Sequence, residues 1–122
     1  MVAGLAALPV AAQAAGDVSS EISTAQKHAM LSAQGKTLAI AHLHLYHVLN
    51  CLEGPTGKWF YPKQFNPCKG MGDGAIHDAT SHQQMMLLER LAARAHAGLM
   101  SKQVTTVHHD AMMIAADLKK VG

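Results

Sequence analysis

The amino-acid sequence predicts an all-α protein: an antiparallel four-helix bundle of two α-hairpins, with a disulfide-closed aromatic loop between helices 2 and 3. Three observations lead there. Alanine, leucine and methionine dominate outside the centre of the chain while valine and isoleucine are sparse, a balance that favours helix over strand. Apolar residues recur at helical spacing in four windows. The breaks at Gly35 and near Met100 are short, and short connections join antiparallel neighbours.

The first stretch is apolar and alanine-rich, and Ala12-Gln13-Ala14 fits the small-x-small pattern of a signal-peptidase site. Residues 1–14 are therefore expected to be a signal-peptide remnant, and residues 15–122 a single helical domain that is periplasmic or secreted. The run is shorter than the ~20 apolar residues a membrane span needs, so no membrane span is expected in the mature chain. Helix 1 is expected over residues 20–34, with Ile22, Ala25, Ala29 and Ala33 as its narrow apolar stripe and Gly35 as its break. Helix 2 is expected over residues 36–53, with Leu38, Ala41, Leu45, Val48 and Leu52 inward and Gly54-Pro55 as its stop.

Residues 54–74 hold three of the four prolines, five of the ten glycines and four of the five aromatic residues: Trp59, Phe60, Tyr61 and Phe65. An irregular stretch this long is uncommon unless it is functional or disordered, and its aromatics argue against disorder. Cys51 and Cys68 flank most of it, and an even pair of cysteines in an exported chain is expected to form a disulfide. Such a loop adds ~3 kcal/mol of stability in the chain-entropy picture. Helix 3 is expected to begin at Ala75 or Ile76 and to run to Leu99, with Leu88, Leu91, Ala92, Ala95 and Leu99 inward. Helix 4 is expected over residues 101–121, on a stripe of Val104, Val107, Ala111, Ile114 and Leu118.

Composition narrows the function. A net charge of +2, with dispersed basic residues, lacks the clustered basic stripe of a nucleic-acid binder. No histidine, serine or acidic residue sits in a nucleophile elbow or triad context, so no enzyme activity is expected. A haem-attachment CxxCH is absent, and the glycine-rich run at residues 70–74 lacks the Lys-Ser/Thr ending of a phosphate loop. What the chain does offer is nine histidines and eight methionines. Histidine is the commonest metal ligand, and thioether sulfur suits copper(I).

On helix 2, His44 and His47 lie on one flank, about 60° apart at ~100° per residue, whereas His42 lies on the other. A short internal repeat sets Lys36 to His42 against Lys102 to His108, which makes His42 and His108 equivalent positions of two hairpins. Facing helices of a bundle can build metal sites in this way. His108 and His109 also precede Met112 and Met113 by three or four residues, as His82 precedes Met85 and Met86, which puts imidazole and thioether on one helix face. The expected ligands are thus His42, His44, His47, His108, His109, Met112 and Met113, with copper as the expected metal and other divalent ions as alternatives. The expected role is metal buffering or delivery, the latter with a periplasmic protein partner. The competing expectation is an interaction module that grips a protein or small ligand with the aromatic loop.

The block His42-x-His44-x-x-His47-Val48-x-Asn50-Cys51-Leu52-x-Gly54-Pro55, followed by Asn66-Pro67-Cys68-Lys69-Gly70-Met71-Gly72, resembles one in small secreted bacterial proteins. It spans about a third of the mature chain and brings no established activity with it. More loosely, the chain is similar to the small metal-binding protein type, a histidine-rich periplasmic helical bundle that binds copper and other divalent ions. That resemblance rests on size, location and helix-borne histidines such as His28, His42 and His108. The disulfide loop and the smaller number of histidines depart from that type, and imply a few sites rather than bulk buffering.

Overall fold

The computed structural model describes residues 16–122, so the expected signal-peptide remnant lies outside the described residues. Four helices form: α1 (Val18–Ala33), α2 (Leu38–Glu53), α3 (His82–Met100) and α4 (Val104–Val121), and the described residues contain no strand. Each helix packs on its two neighbours in the cyclic order α1, α2, α3, α4, and across the diagonals only α2 and α4 touch. This is the expected up-and-down bundle.

The stripes read from the sequence form the core. Ile22, Ala25 and Ala29 of α1 meet Ala41, Leu45, Val48 and Leu52 of α2. Leu88, Leu91, Ala92 and Ala95 of α3, with Val107, Ile114 and Leu118 of α4, complete it. Alanine on the inner face of α1 lets its backbone lie close to α2, which positions the α1–α2 site described below. That hairpin is closed at Gly35 by Ser32, whose buried hydroxyl donates to the Ala41 carbonyl at 2.7 Å.

Helix starts follow capping chemistry more closely than hydrophobic onset. Asp17 caps α1, accepting from the Ser20 amide at 3.0 Å, and Thr37 caps α2, accepting from the Ile40 amide at 3.2 Å. Helix α3 begins at His82, not at Ala75 or Ile76 as the sequence suggested. The amides of Ala75 and Ile76 are committed elsewhere: they donate to the Cys51 and Leu52 carbonyls at 3.0 and 2.9 Å, satisfying the C-terminal end of α2. Ser81 then caps α3 by accepting from the Gln84 amide at 3.0 Å, and the Gln84 side chain reaches back to the Thr80 amide at 2.8 Å. This is a capping-box variant legible as Ser-x-x-Gln.

The connection between α2 and α3 is a packed loop. Gly54 ends α2 at φ 67°, a left-handed conformation open to glycine, with the backbone of Asp73 and Gly74 pressed against its α-carbon. Cys51 and Cys68 are both buried and joined as a disulfide. Two of the four loop aromatics stack on side chains of the helices. Tyr61 stacks on Tyr46 at 4.5 Å, and Trp59 stacks on His96 at 4.5 Å with the Lys58 ammonium 4.1 Å from its ring centre.

One core feature was not legible in the sequence. Glu21, in the first turn of α1, is fully buried, and no N–H meets either carboxyl oxygen in hydrogen-bonding geometry. It faces the Asp78 carboxyl across Gly72. Burial, reinforced by the Asp78 hydrogen bond and charge, pushes the Glu21 carboxyl up to about 8. Burial beside the Asp78 carboxylate thus favours the neutral form of Glu21 at pH 7. For Asp78 itself, burial is outweighed by hydrogen bonds from Glu21 and the Asp73 amide, which hold it below the ordinary carboxylate value.

The sign of the linkage follows. The folded chain binds this proton more tightly than the unfolded chain, so the stabilisation is full below the unfolded value near 4.5 and is lost as pH rises through about 8. The unfolding free energy of the wild type is expected to fall between pH 5 and 9 relative to Glu21→Gln, by on the order of 2–4 kcal/mol, as read from thermal melts. Parallel curves for the two proteins would show that Glu21 does not carry this dependence.

Candidate metal centre

Three histidines converge on the outer side of the α1–α2 hairpin. His44 and His47 lie three residues apart on one flank of α2, as their spacing dictates. His28 comes from α1. The register of the hairpin explains its arrival: Ser32 opposes Ala41, His28 lies one turn before Ser32, and His44 lies about one turn after Ala41. His28 Nδ1 is 3.2 Å from His44 Nδ1 and 3.3 Å from His47 Nδ1. The rings of His28 and His44 are tilted by 32°, while His47 stands nearly perpendicular to both.

These distances fit a shared ion better than a hydrogen-bonded trio. A neutral imidazole has one N–H and one lone pair, so His28 Nδ1 can make one good hydrogen bond, yet it has two nitrogen neighbours at contact. Four ligands placed tetrahedrally at the 2.0–2.1 Å of a zinc–imidazole bond lie about 3.3–3.4 Å from one another. The two separations from His28 match that edge within about 0.2 Å. The ligating atoms of His28, His44 and His47 all lie within 4.8 Å of one another, so the cluster can hold a metal ion. No fourth His, Cys, Asp or Glu joins this group among the described residues, so a tetrahedral ion held by the three would have one position open.

The protonation states are suited to ligation. Burial, then the neighbouring His47, His44 and Lys27 charges, push His28 down to about 4. Burial lowers His44, and burial together with His44 lowers His47. All three rings are neutral at pH 7, with lone pairs free for a cation. His47 is the most enclosed, 8% exposed, and the Phe65 ring meets it at 88° with centroids 6.1 Å apart.

Of the ligands expected from sequence, His44 and His47 are brought together, and the others lie apart from them. His108, on α4, reaches the α1–α2 turn instead: its Nε2 lies 2.7 Å from the Gly35 carbonyl, so that nitrogen carries a proton and donates. This contact of His108 is with the turn and not with His42. His42 keeps its Nε2 buried without a partner. His109, Met112 and Met113 are exposed on α4, and Met112 lines a groove with Met30 and Gln26 of α1. The member of the trio that sequence reasoning left out is His28. The signal that would have found it is the hairpin register about Gly35.

A second group, Asp73, His77 and Asp78, also has ligand atoms within 4.8 Å of one another. Its members already serve each other. His77 Nδ1 lies 3.3 Å from Asp78 Oδ1 and 3.9 Å from Asp73 Oδ2, and both His77 and Asp73 are exposed. We read it as a solvated ion-pair set.

No helix among the described residues is long and apolar enough to cross a membrane. No protein-family model, curated protein or solved structure matches the chain, so the metal centre is read from its own geometry.

Proposed function

We propose that the chain is a copper-binding protein of an oxidising compartment outside the cytoplasm, acting in metal buffering or delivery through His28, His44 and His47. The observation that carries the reading is the approach of three neutral Nδ1 atoms to 3.2 and 3.3 Å, the spacing of a tetrahedral ion's ligands. Three imidazoles suit zinc and copper, and among divalent ions the copper complex is the tighter. The open fourth position favours exchange with a donor or acceptor protein. The Cys51–Cys68 disulfide supports an oxidising location. The looser resemblance to the small metal-binding protein type points the same way, with one site in place of many.

We propose binding rather than catalysis because, among the described residues, the trio's ring contacts are with one another and with Phe65, not with an acid–base partner. The interaction-module reading has less support, since the loop's Trp59 and Tyr61 faces are taken by His96 and Tyr46. Titration of the disulfide-intact protein with copper and with zinc, followed by native mass spectrometry, tests the proposal. One tight equivalent per chain is expected, with copper(II) displacing zinc. Uptake that is weak and without fixed stoichiometry would refute it.

A further inference from the structure

Resting on that metal-binding reading, we propose that Phe65 and Asn50 are positioning residues of the metal centre: Asn50 locks the aromatic loop so that Phe65 sets the orientation of His47. Phe65 is the least expected large apolar side chain at this point of the loop, because it is 68% exposed and contributes nothing to the core. Its position is therefore not explained by its own burial. It is explained by Asn50, which is fully buried on α2, three residues after His47. Asn50 Nδ2 lies 3.1, 3.3 and 3.2 Å from the carbonyls of Tyr61, Gln64 and Phe65, its two hydrogens shared among the three. Its Oδ1 accepts from the Tyr61 amide at 2.8 Å. One side chain thus fixes the loop backbone from residue 61 to residue 65.

The consequence reaches the metal through geometry. A cation bound to imidazole lies in the ring plane, along the nitrogen lone pair, so turning the ring moves the lone pair off the ion. His47 has two ring neighbours on the metal side, His28 at 4.9 Å and 86° and His44 at 5.5 Å and 79°, and one on the loop side, the Phe65 ring at 6.1 Å and 88°. An edge-to-face ring pair prefers this perpendicular arrangement. Phe65 so takes the part that a hydrogen-bonded carboxylate plays behind many metal-bound histidines, where loss of the outer partner costs 10–100-fold in affinity. A ring held by packing instead of by a hydrogen bond turns more readily, which suits a site that must release its ion.

The test uses Co²⁺ as a spectroscopic probe on the full, disulfide-intact chain. Phe65→Ala removes the ring, Phe65→Tyr keeps it, and Asn50→Asp keeps the shape of the bracket while replacing its donors with an acceptor. Release of Co²⁺ to excess chelator is expected to be about 10-fold faster in Phe65→Ala and Asn50→Asp than in wild type, with a changed visible absorption band. Phe65→Tyr is expected to restore the wild-type rate and band. Phe65→Ala should fold normally because the ring is largely exposed, so the test stands even where Asn50→Asp does not fold. Wild-type uptake with an unchanged rate and band in Phe65→Ala overturns this inference and leaves the metal reading standing. A wild-type chain that takes up neither Co²⁺ nor copper overturns both.

Discussion

Replacing His28 with alanine is expected to lower copper affinity by more than about 100-fold, since removing a ligand costs at least as much as removing an outer-shell partner. His28 Nδ1 is the atom shared by both short contacts, at 3.2 Å to His44 and 3.3 Å to His47. Without it, two histidines of one helix remain, and the chelate across the hairpin is gone. The substitution should spare the fold, because alanine is the strongest helix former and His28 is half-buried at the edge of α1, outside the buried core. The comparison is His42→Ala with His108→Ala in one chain. That double variant loses the bond from His108 to the Gly35 carbonyl and is expected to be less stable, yet to bind copper within about threefold of wild type. Competition against a chelator of known affinity measures both. A weaker double variant beside an unaffected His28→Ala would return the site to the second and fourth helices.

The contrast between these two variants shows what the sequence could and could not disclose. Periodicity is a property of one helix at a time, so the stripes Ala41–Leu45–Val48–Leu52 and Val107–Ala111–Ile114–Leu118 were readable and are buried. The pairing of His44 with His47 was readable for the same reason. The third ligand comes from another helix, and choosing it needs the register between helices. The internal repeat offered one register, with His42 facing His108. The turn at Gly35 sets the register of α1 against α2, because Ser32 bonds to Ala41 and brings His28 level with His44. A two-fold relation between hairpins constrains distant elements weakly, whereas a short turn constrains its two flanking helices strongly. The late start of α3 has a similar origin. The amides of Ala75 and Ile76 are drawn to the end of α2 by a contact that local pattern does not encode. Glu21 was illegible for a third reason: a carboxyl in a first helical turn normally reads as a solvated partner of the helix dipole. Only the arrival of Asp78 from the loop makes it a buried, neutral group.

Copper retention is expected to persist well below the pH at which ordinary histidines release metal. A surface imidazole protonates near 6.5, and a site built from such groups begins to lose its ion there. In the trio, burial favours the neutral rings, most strongly at His28, which is pushed down to about 4, and also at His44 and His47. Affinity should therefore begin to fall at a lower pH than in a site of unperturbed histidines. Below that it should fall with increasing steepness, toward a limit of about three decades per pH unit once three protons compete for one ion. The metal-free chain carries the same signature in its stability. Its His28 is depressed in the folded state, so between 6.5 and about 4 the unfolded chain binds the extra proton. Stability is then full above 6.5 and is lost as pH falls toward 4, by about 1–2 kcal/mol after allowance for the partial exposure of the ring. Bound copper should oppose that loss, because it occupies the lone pairs the protons seek. Chelator competition across pH 4–8, with melting curves of the metal-free and copper-loaded chain, separates this from a solvated histidine surface. That alternative requires release to begin at 6.5 or above, and requires His28→Ala to leave the pH profile unchanged.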